Sequence, residues 1–121
     1  MRRKWIKVFV EQCLRGTMIS ELTPEQRWVW IGLLLMAGDS PVSGIIFLRK
    51  DEDGSPLGYS SHTIAELLGV GTKVFESAVK KMIQHEKITM DEKGVIEIVN
   101  WYKYQSDFDR QKPYREGVES K

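Results

Sequence analysis

The chain has 121 residues, 41% of them hydrophobic, which fits one domain with an apolar core and excludes wholesale disorder. Its 18 Lys and Arg against 17 Asp and Glu give a net charge of +1 and exclude a uniformly basic coat. One cysteine, Cys13, excludes an internal disulfide, and two histidines, His62 and His85, give no zinc-site spacing. We expect a buried thiol at Cys13 and no metal or cofactor.

The first twenty residues carry five basic side chains and one acidic side chain. The segment "WIKVFV" (5–10) is rich in β-branched and aromatic residues and predicts a short strand. The basic cluster of Arg2, Arg3, Lys4 and Lys7 allows two readings, an arm on a nucleic-acid backbone or a solubilising terminus.

The segment "TPEQRWVWIGLLLMAG" (23–38) predicts a helix. Thr23 is the expected N-cap, Pro24 suits the first helical position, and Gln26 completes a capping box with Thr23. Gly38 is the expected C-terminal cap, and Pro41 prevents continuation of the helix.

From Trp28 onward this helix is apolar on almost every side, so more than one face must be covered. The run 28–38 is shorter than the roughly 20 residues that cross a bilayer. Lys7 and Glu11 interrupt the N-terminal apolar run, which argues against a secretory signal. We expect a protein without a membrane segment in a reducing compartment.

The rest of the chain predicts alternating elements. "GIIFLRK" (44–50) reads as a strand, "DEDGSPLG" (51–58) as a loop, and "SHTIAELLG" (61–69) as a helix. After a glycine turn, a second helix runs from Thr72 to about His85. "KITMDEKGVIEIVN" (87–100) is typical of a β-hairpin with its turn at "DEKG".

The order strand, helix, strand, helix, helix, hairpin predicts an α+β, mainly helical fold, a winged helix-turn-helix with a small β-hairpin wing. Residues 1–105 form the domain, and 106–121 are expected to be a polar, flexible tail. The helix pair needs a small residue at its crossing, Ala65, and a residue tolerant of positive φ at its turn, Gly69. The apolar positions that seal the corner are Ile64, Leu68, Val70, Phe75 and Ala78.

A helical wheel of the second motif helix places Lys73, Ser77, Lys80 and Gln84 in one row, with Lys81 beside it. Lysines meet phosphates or guanine edges, and Ser or Gln can meet other base edges, so in this context the row indicates DNA contact. The alternative is an ordinary solvated face.

Three further residues are DNA-binding candidates. Ser61 and His62 begin the first motif helix, where free backbone N–H groups could hold a phosphate. Lys93 offers weak help from a hairpin turn that also carries two acids. Trp101 is expected to pack on the domain rather than to stack on bases.

The segments "WIKVFV", "IIFLRKDEDGSPLGYS", "TIAELLGV" and, above all, "GVIEIVNWYKYQS" resemble the N-terminal domain of phage replisome organisers. These phage replication initiation proteins are relatives of the DnaD-like primosome proteins of Gram-positive bacteria. The resemblance covers about residues 4–106. It implies a winged helix that binds origin DNA, self-associates and helps recruit the replicative helicase through a further C-terminal region. Members of the family usually continue well past this point, but this chain stops at Lys121, so we expect either a truncated module or a chain that lacks the recruiting part.

The resemblance favours a DNA-binding module of phage replication initiation in the cytoplasm of a bacterial host. The expected partners are DNA, other replisome proteins and a second copy bound through the N-terminal strand and the first long helix. A winged-helix transcription regulator and an interaction module without DNA binding remain alternatives. An enzyme is not expected, because no nucleophile and base are paired and "GVGTK" lacks the P-loop spacing.

Overall fold

The computed structural model describes residues 2–105, which form an α+β fold of six helices and five short strands. The helices are α1 Val10–Arg15, α2 Thr17–Ser20, α3 Pro24–Asp39, α4 Ser61–Leu68, α5 Thr72–Gln84 and α6 Trp101–Gln105. The strands are β1 Ile45–Ile46, β2 Arg49–Lys50, β3 Pro56–Leu57, β4 Ile88–Met90 and β5 Ile96–Ile98. The flexible tail predicted for 106–121 lies outside the described residues.

Helix α3 begins where its sequence predicts. The Thr23 hydroxyl accepts from the Gln26 backbone N–H at 3.3 Å, and the Gln26 side chain accepts from the Thr23 N–H at 3.0 Å, which confirms the capping box. The prediction of Gly38 as the C-terminal cap is wrong, because the helix continues to Asp39. Gly38 is instead a point of close approach, where a Cβ would lie 2.5 Å from Cγ2 of Ile6.

The predicted strand at 5–10 is also wrong. Residues 5–9 are neither helix nor strand, and Val10 already begins α1. The backbone of this segment bonds to other parts of the chain instead. The amide side chain of Gln105 bonds both the N–H and the C=O of Lys7, at 2.8 and 2.9 Å, and the Arg3 N–H donates to the Gly38 carbonyl.

Two antiparallel sheets follow from the remaining strands. The larger sheet has the order β1-β5-β4, and β4 and β5 form the predicted hairpin around 91–94. The predicted strand 44–50 divides into β1, which joins that sheet, and β2, which pairs with β3 in a separate ribbon. The predicted loop 51–58 therefore contains β3 and the turn of a second hairpin.

Helices α4 and α5 form the predicted corner. Gly69 has a φ of 76°, and the Val70 N–H donates to the Ala65 carbonyl at 2.9 Å. Ala65 is 1% exposed, so a larger side chain could not occupy the crossing without moving the helices. Ile64, Phe75 and Ala78 are buried with it, while Leu68 and Val70 are partly buried against the core.

Helix α3 is the centre of the core, and it contacts α5 and the larger sheet. Its residues Val29, Leu33 and Ala37 are fully buried. Trp28 and Leu35 remain 46% and 48% exposed, so residues 2–105 do not cover the helix on every side. No helix within residues 2–105 is long and apolar enough to span a membrane.

Candidate nucleic-acid interface

Helix α5 presents one polar surface to solvent. It contains neither Gly nor Pro, and burial of Phe75, Ala78, Val79 and Met82 fixes which side faces the core. The opposite side carries exposed Lys73, Lys80 and Gln84, which we call the outward face. Neither lysine forms an ion pair within residues 2–105, so both ammonium groups are available to an anionic partner.

Two other predicted site residues of α5, Ser77 and Lys81, bond to the protein itself. The Ser77 hydroxyl accepts from Nε2 of Gln26 at 3.0 Å. The Lys81 ammonium donates to the Glu21 carbonyl at 2.8 Å and to Oε1 of Gln26 at 3.1 Å. One turn further, His85 lies with Nε2 2.7 Å from Oε2 of Glu21.

Gln26 has a wider role than the capping box that its position in the sequence predicts. It is 6% exposed, and its amide serves the capping box, Ser77 and Lys81 at once. The choice of glutamine at position 26 already indicates this wider role. A glutamate at this position could only accept hydrogen bonds, whereas the glutamine amide also donates.

The predicted phosphate position at the start of α4 is partly occupied by internal contacts. Ser60 is the N-cap of α4, and its hydroxyl accepts from the Thr63 N–H at 3.1 Å. Ser61 is half-buried and His62 is exposed, with Nδ1 of His62 3.3 Å from the Thr72 hydroxyl. His62 therefore joins the start of α4 to the start of α5, beside the outward face.

Lys93 lies in the turn of the β4–β5 hairpin and faces the neighbouring β2–β3 hairpin. Its ammonium is 3.6 Å from the Asp51 carboxylate, and its carbonyl accepts from the Gly58 N–H at 3.0 Å. The two turns, 51–55 and 91–95, have the same hydrogen-bond pattern, in which the first aspartate accepts from the backbone two and four residues later.

These paired turns are acidic. They carry five carboxylates, of Asp51, Glu52, Asp53, Asp91 and Glu92, against the single ammonium of Lys93. Their potential opposes a phosphate backbone, so the geometry favours α5 over the hairpin as a DNA contact.

The backbone hydrogen bond from Ser55 is the main cause that lowers the pKa of Asp51, with Asp53 and Lys93 contributing. A carboxyl whose pKa is lower in the folded than in the unfolded chain stabilises the fold at any pH above its pKa in the unfolded chain. That contribution disappears as the pH falls through its pKa in the folded chain. The melting temperatures of wild type and Asp51→Asn should therefore converge as the pH falls below 3.8, the ordinary pKa of an aspartate carboxyl. Glu52→Gln is the control, because it removes a charge from the same turn without these bonds. A gap between wild type and Asp51→Asn that stays constant from neutral to acid pH would contradict the expectation.

The N-terminal segment packs against α6. Besides the Gln105 contact to Lys7, the Gln12 side chain donates to the Tyr104 hydroxyl at 3.1 Å, and the Phe9 and Tyr104 rings meet edge to face at 5.0 Å. Trp101 is 3% exposed, which confirms that it packs on the domain.

Under this segment lies a cavity of about 60 Å³ with Cys13 and Trp30 in its wall. Cys13 is only partly buried, but burial still raises the pKa of its thiol, while the contact with Trp30 lowers it to a smaller extent. The thiol is therefore held in its less reactive, protonated form. No group of three residues among His, Cys, Asp and Glu within 2–105 could hold a metal ion.

Comparison with known proteins gives one finding that bears on this surface. The family model described as the N-terminal phage replisome organiser matches residues 14–120. No curated protein and no solved structure matches the chain. The matched range contains α3, the α4–α5 pair, both hairpins and α6, and therefore the whole outward face.

Proposed function

This chain belongs to the N-terminal phage replisome organiser family, and on that premise we propose that it is a winged-helix module that binds DNA in phage replication initiation. The observation that carries the DNA-binding part is the outward face of α5. It combines two unpaired lysines and one amide on the second helix of a helix-turn-helix corner, where such a helix enters a major groove.

The winged-helix assignment is supported by topology. Helix α3 is followed by β1, the α4–α5 pair and the β4–β5 hairpin, and β1 pairs with β5 rather than with β4. The hairpin is thereby attached to the side of the helix pair as a wing. The wing turn is acidic, so we assign phosphate contact to α5 and to the nearby start of α4 at His62.

The proposal is tested by replacing both outward lysines, Lys73 and Lys80, with Ala. Duplex affinity should fall, and the slope of log K against log salt should shrink by up to about two, because each lysine neutralises one phosphate. Fluorescence anisotropy with labelled duplex and single-stranded DNA at several salt concentrations measures both quantities.

The matched control replaces Lys50, at the end of β2, and Lys93 with Ala, which removes the same charge from the two hairpins. This variant should keep the wild-type slope. If the Lys73 and Lys80 variant also keeps the wild-type affinity and slope, α5 does not carry DNA binding. No DNA binding by wild type would favour an interaction module, and binding to one operator-like sequence without any replication partner would favour a transcription regulator.

We also propose self-association, which the exposed part of α3 supports. Trp28 and Leu35 leave an apolar stripe on a helix that is otherwise in the core, and exposed apolar surface of this kind often marks an interface. The N-terminal segment does not supply a strand for pairing between copies, since its backbone bonds to Gln105 and Gly38 of the same chain. We therefore place the contact on α3 alone.

Sedimentation equilibrium at tens of micromolar measures this association. Wild type should have the mass of a dimer, and Leu35→Glu should have the mass of a monomer with an unchanged circular dichroism spectrum. Met90→Glu, on the edge strand β4 and 38% exposed, is the control and should remain dimeric. A monomeric wild type would remove the proposal.

In this role the chain acts by binding and not by catalysis, in the cytoplasm of the bacterial host. Its other partners are replisome proteins. The family membership supports the replication context, and the lysine face supports the choice of DNA as the direct ligand.

A further inference from the structure

The polar surface of α5 divides into two rows. The outward face carries Lys73, Lys80 and Gln84, and a second row carries Ser77, Lys81 and His85 at intervals of four residues. All three side chains of the second row bond to the start of α3 or to the residues just before it, Ser77 and Lys81 to Gln26, and Lys81 and His85 to Glu21. The two rows thus differ in their partners, since only the second row is hydrogen-bonded to the rest of the domain.

The geometry points to Gln26 as the positioning residue of the DNA-binding helix. The buried apolar side of α5 selects the face that meets the core, and the amide of Gln26 holds the helix in that rotation through its bonds to Ser77 and Lys81, with Lys73, Lys80 and Gln84 outward. The inference rests on the proposed DNA-binding role of the outward face. In that role Gln26 keeps the outward face oriented toward the DNA.

The hydrogen bonds of Gln26 leave little freedom for α5 to rotate. Oε1 accepts from the Thr23 N–H and from the Lys81 ammonium, which uses both of its lone pairs, and Nε2 donates to Ser77. Rotation of α5 by one residue, about 100°, would break the contacts at both 77 and 81. Because Gln26 is 6% exposed, water could not replace the lost partners without penetrating the helix interface.

The same contacts define the role of Lys81. Its ammonium bonds two neutral oxygens, a backbone carbonyl of Glu21 and the side-chain amide of Gln26. Two of its three N–H donors are used there, and a movement out toward a phosphate would take from Oε1 one of its two donors. Lys81 therefore positions α5 through Gln26 and does not neutralise a phosphate, although it lies one residue from Lys80.

The first experiment needs no DNA. Backbone hydrogen exchange is followed in α5 and in α4 for wild type, Gln26→Ala, Gln26→Glu and Thr23→Ala. Thr23→Ala is the matched control, because it removes the other half of the capping box and leaves the Ser77 and Lys81 contacts intact. The ratio of the exchange rate in α5 to the rate in α4 separates a local release of α5 from a general loss of stability.

Gln26→Ala should speed exchange in α5 by about tenfold relative to α4, a local opening of the kind that exchange reports. Thr23→Ala should raise the exchange rates of α4 and α5 by the same factor. Gln26→Glu should match wild type, since a carboxylate keeps both acceptor contacts and the Ser77 hydroxyl can donate to it. Equal effects of Gln26→Ala and Thr23→Ala on the α5 to α4 ratio would overturn the positioning role.

The second experiment measures the salt dependence of binding to a labelled mixed-sequence duplex of about 30 base pairs, between about 50 and 300 mM salt. Lys80→Gln should lower the slope of log K against log salt by about one, and Lys81→Gln should leave it at the wild-type value. Gln26→Ala should weaken binding about fivefold to tenfold, because a release of α5 multiplies the affinity by the fraction of molecules in which the helix is correctly oriented. Gln26→Glu should restore it.

The outcomes separate the two proposals. A slope lowered equally by Lys81→Gln and Lys80→Gln, or a Gln26→Glu variant as weak as Gln26→Ala, would overturn the inference about Gln26. If wild type and Lys80→Gln have the same slope, the proposed DNA face fails, while the exchange ratio still decides whether Gln26 holds α5.

Discussion

Gly58→Ala should lower the free energy of unfolding by about 3 kcal/mol or more. The melting temperature should fall by on the order of 10 °C, which is a large effect for one added methyl group. A Cβ at Gly58 would lie inside the contact distance of the Gly94 carbonyl carbon and oxygen and 2.5 Å from the Val95 nitrogen. All three atoms belong to the backbone, so no side chain can rotate away. The hairpin turn would have to move off the chain that leads into α4.

Gly54→Ala is the matched control for this expectation. Gly54 occupies the equivalent turn of the β2–β3 hairpin with a φ of 83°, and a Cβ there meets nothing within 4 Å. Gly54→Ala therefore measures the strain of a positive φ without a steric clash, and it should lower the free energy of unfolding by roughly 1–2 kcal/mol. Thermal denaturation of both variants compares the two costs. If Gly58→Ala melts no lower than Gly54→Ala, the two hairpins are not in backbone contact.

The contact at Gly58 has a consequence for the proposed DNA surface. It holds the acidic turn 91–95 against the acidic turn 51–55, where Lys93 already faces Asp51. The one ammonium in these turns is thereby directed toward a carboxylate instead of a phosphate. A DNA ligand approaching α5 would meet two lysines on the helix and a negative potential at the hairpin, which supports a binding mode centred on the helix.

The elements that the sequence predicts correctly are those with local signals. Thr23, Pro24 and Gln26 mark the start of α3 through side-chain chemistry within four residues, and the structure has that capping box. Gly69 marks the corner because only a residue tolerant of positive φ suits the end of α4 there. The turn 91–94 is equally local, and it closes the predicted hairpin.

The errors arise where distant parts of the chain decide. Residues 5–9 have the composition of a strand, but their backbone partner is Gln105, 98 positions from Lys7. Gly38 has the character of a cap, yet its lack of a side chain serves the approach of Ile6. Helix α6 and the short helices α1 and α2 were not predicted, because their positions depend on such tertiary contacts.

The candidate site shows the same division. A helical wheel correctly separates the core side of α5 from its polar side, since that depends on spacing alone. It places Lys81 beside the row of Lys80, but it cannot show that the Lys81 ammonium bonds to Glu21 and Gln26. The contact between Gln26 and Ser77 joins residues 51 positions apart, and no pattern within α5 reports it.

Trp101→Ala is expected to have the other large effect, a loss of about 3–5 kcal/mol, because a buried aromatic side chain would leave a cavity. Trp101 is 3% exposed, and its ring lies where a Cβ on Gly44 would approach within 2.7 Å. Thermal denaturation should show a melting temperature lower by on the order of 15 °C. Tyr102→Ala, one position along and 63% exposed, should cost below about 1 kcal/mol.

A conservative variant separates packing from base stacking at this position. Trp101→Phe keeps most of the buried ring and removes an indole N–H that finds no acceptor within residues 2–105, so its loss of stability should be much smaller than that of Trp101→Ala. Below its melting temperature Trp101→Phe should bind duplex and single-stranded DNA as tightly as wild type, because a buried ring offers no face to a base. A Trp101→Phe variant that is fully folded yet clearly weaker on single-stranded DNA would show instead that α6 opens and that Trp101 stacks on bases.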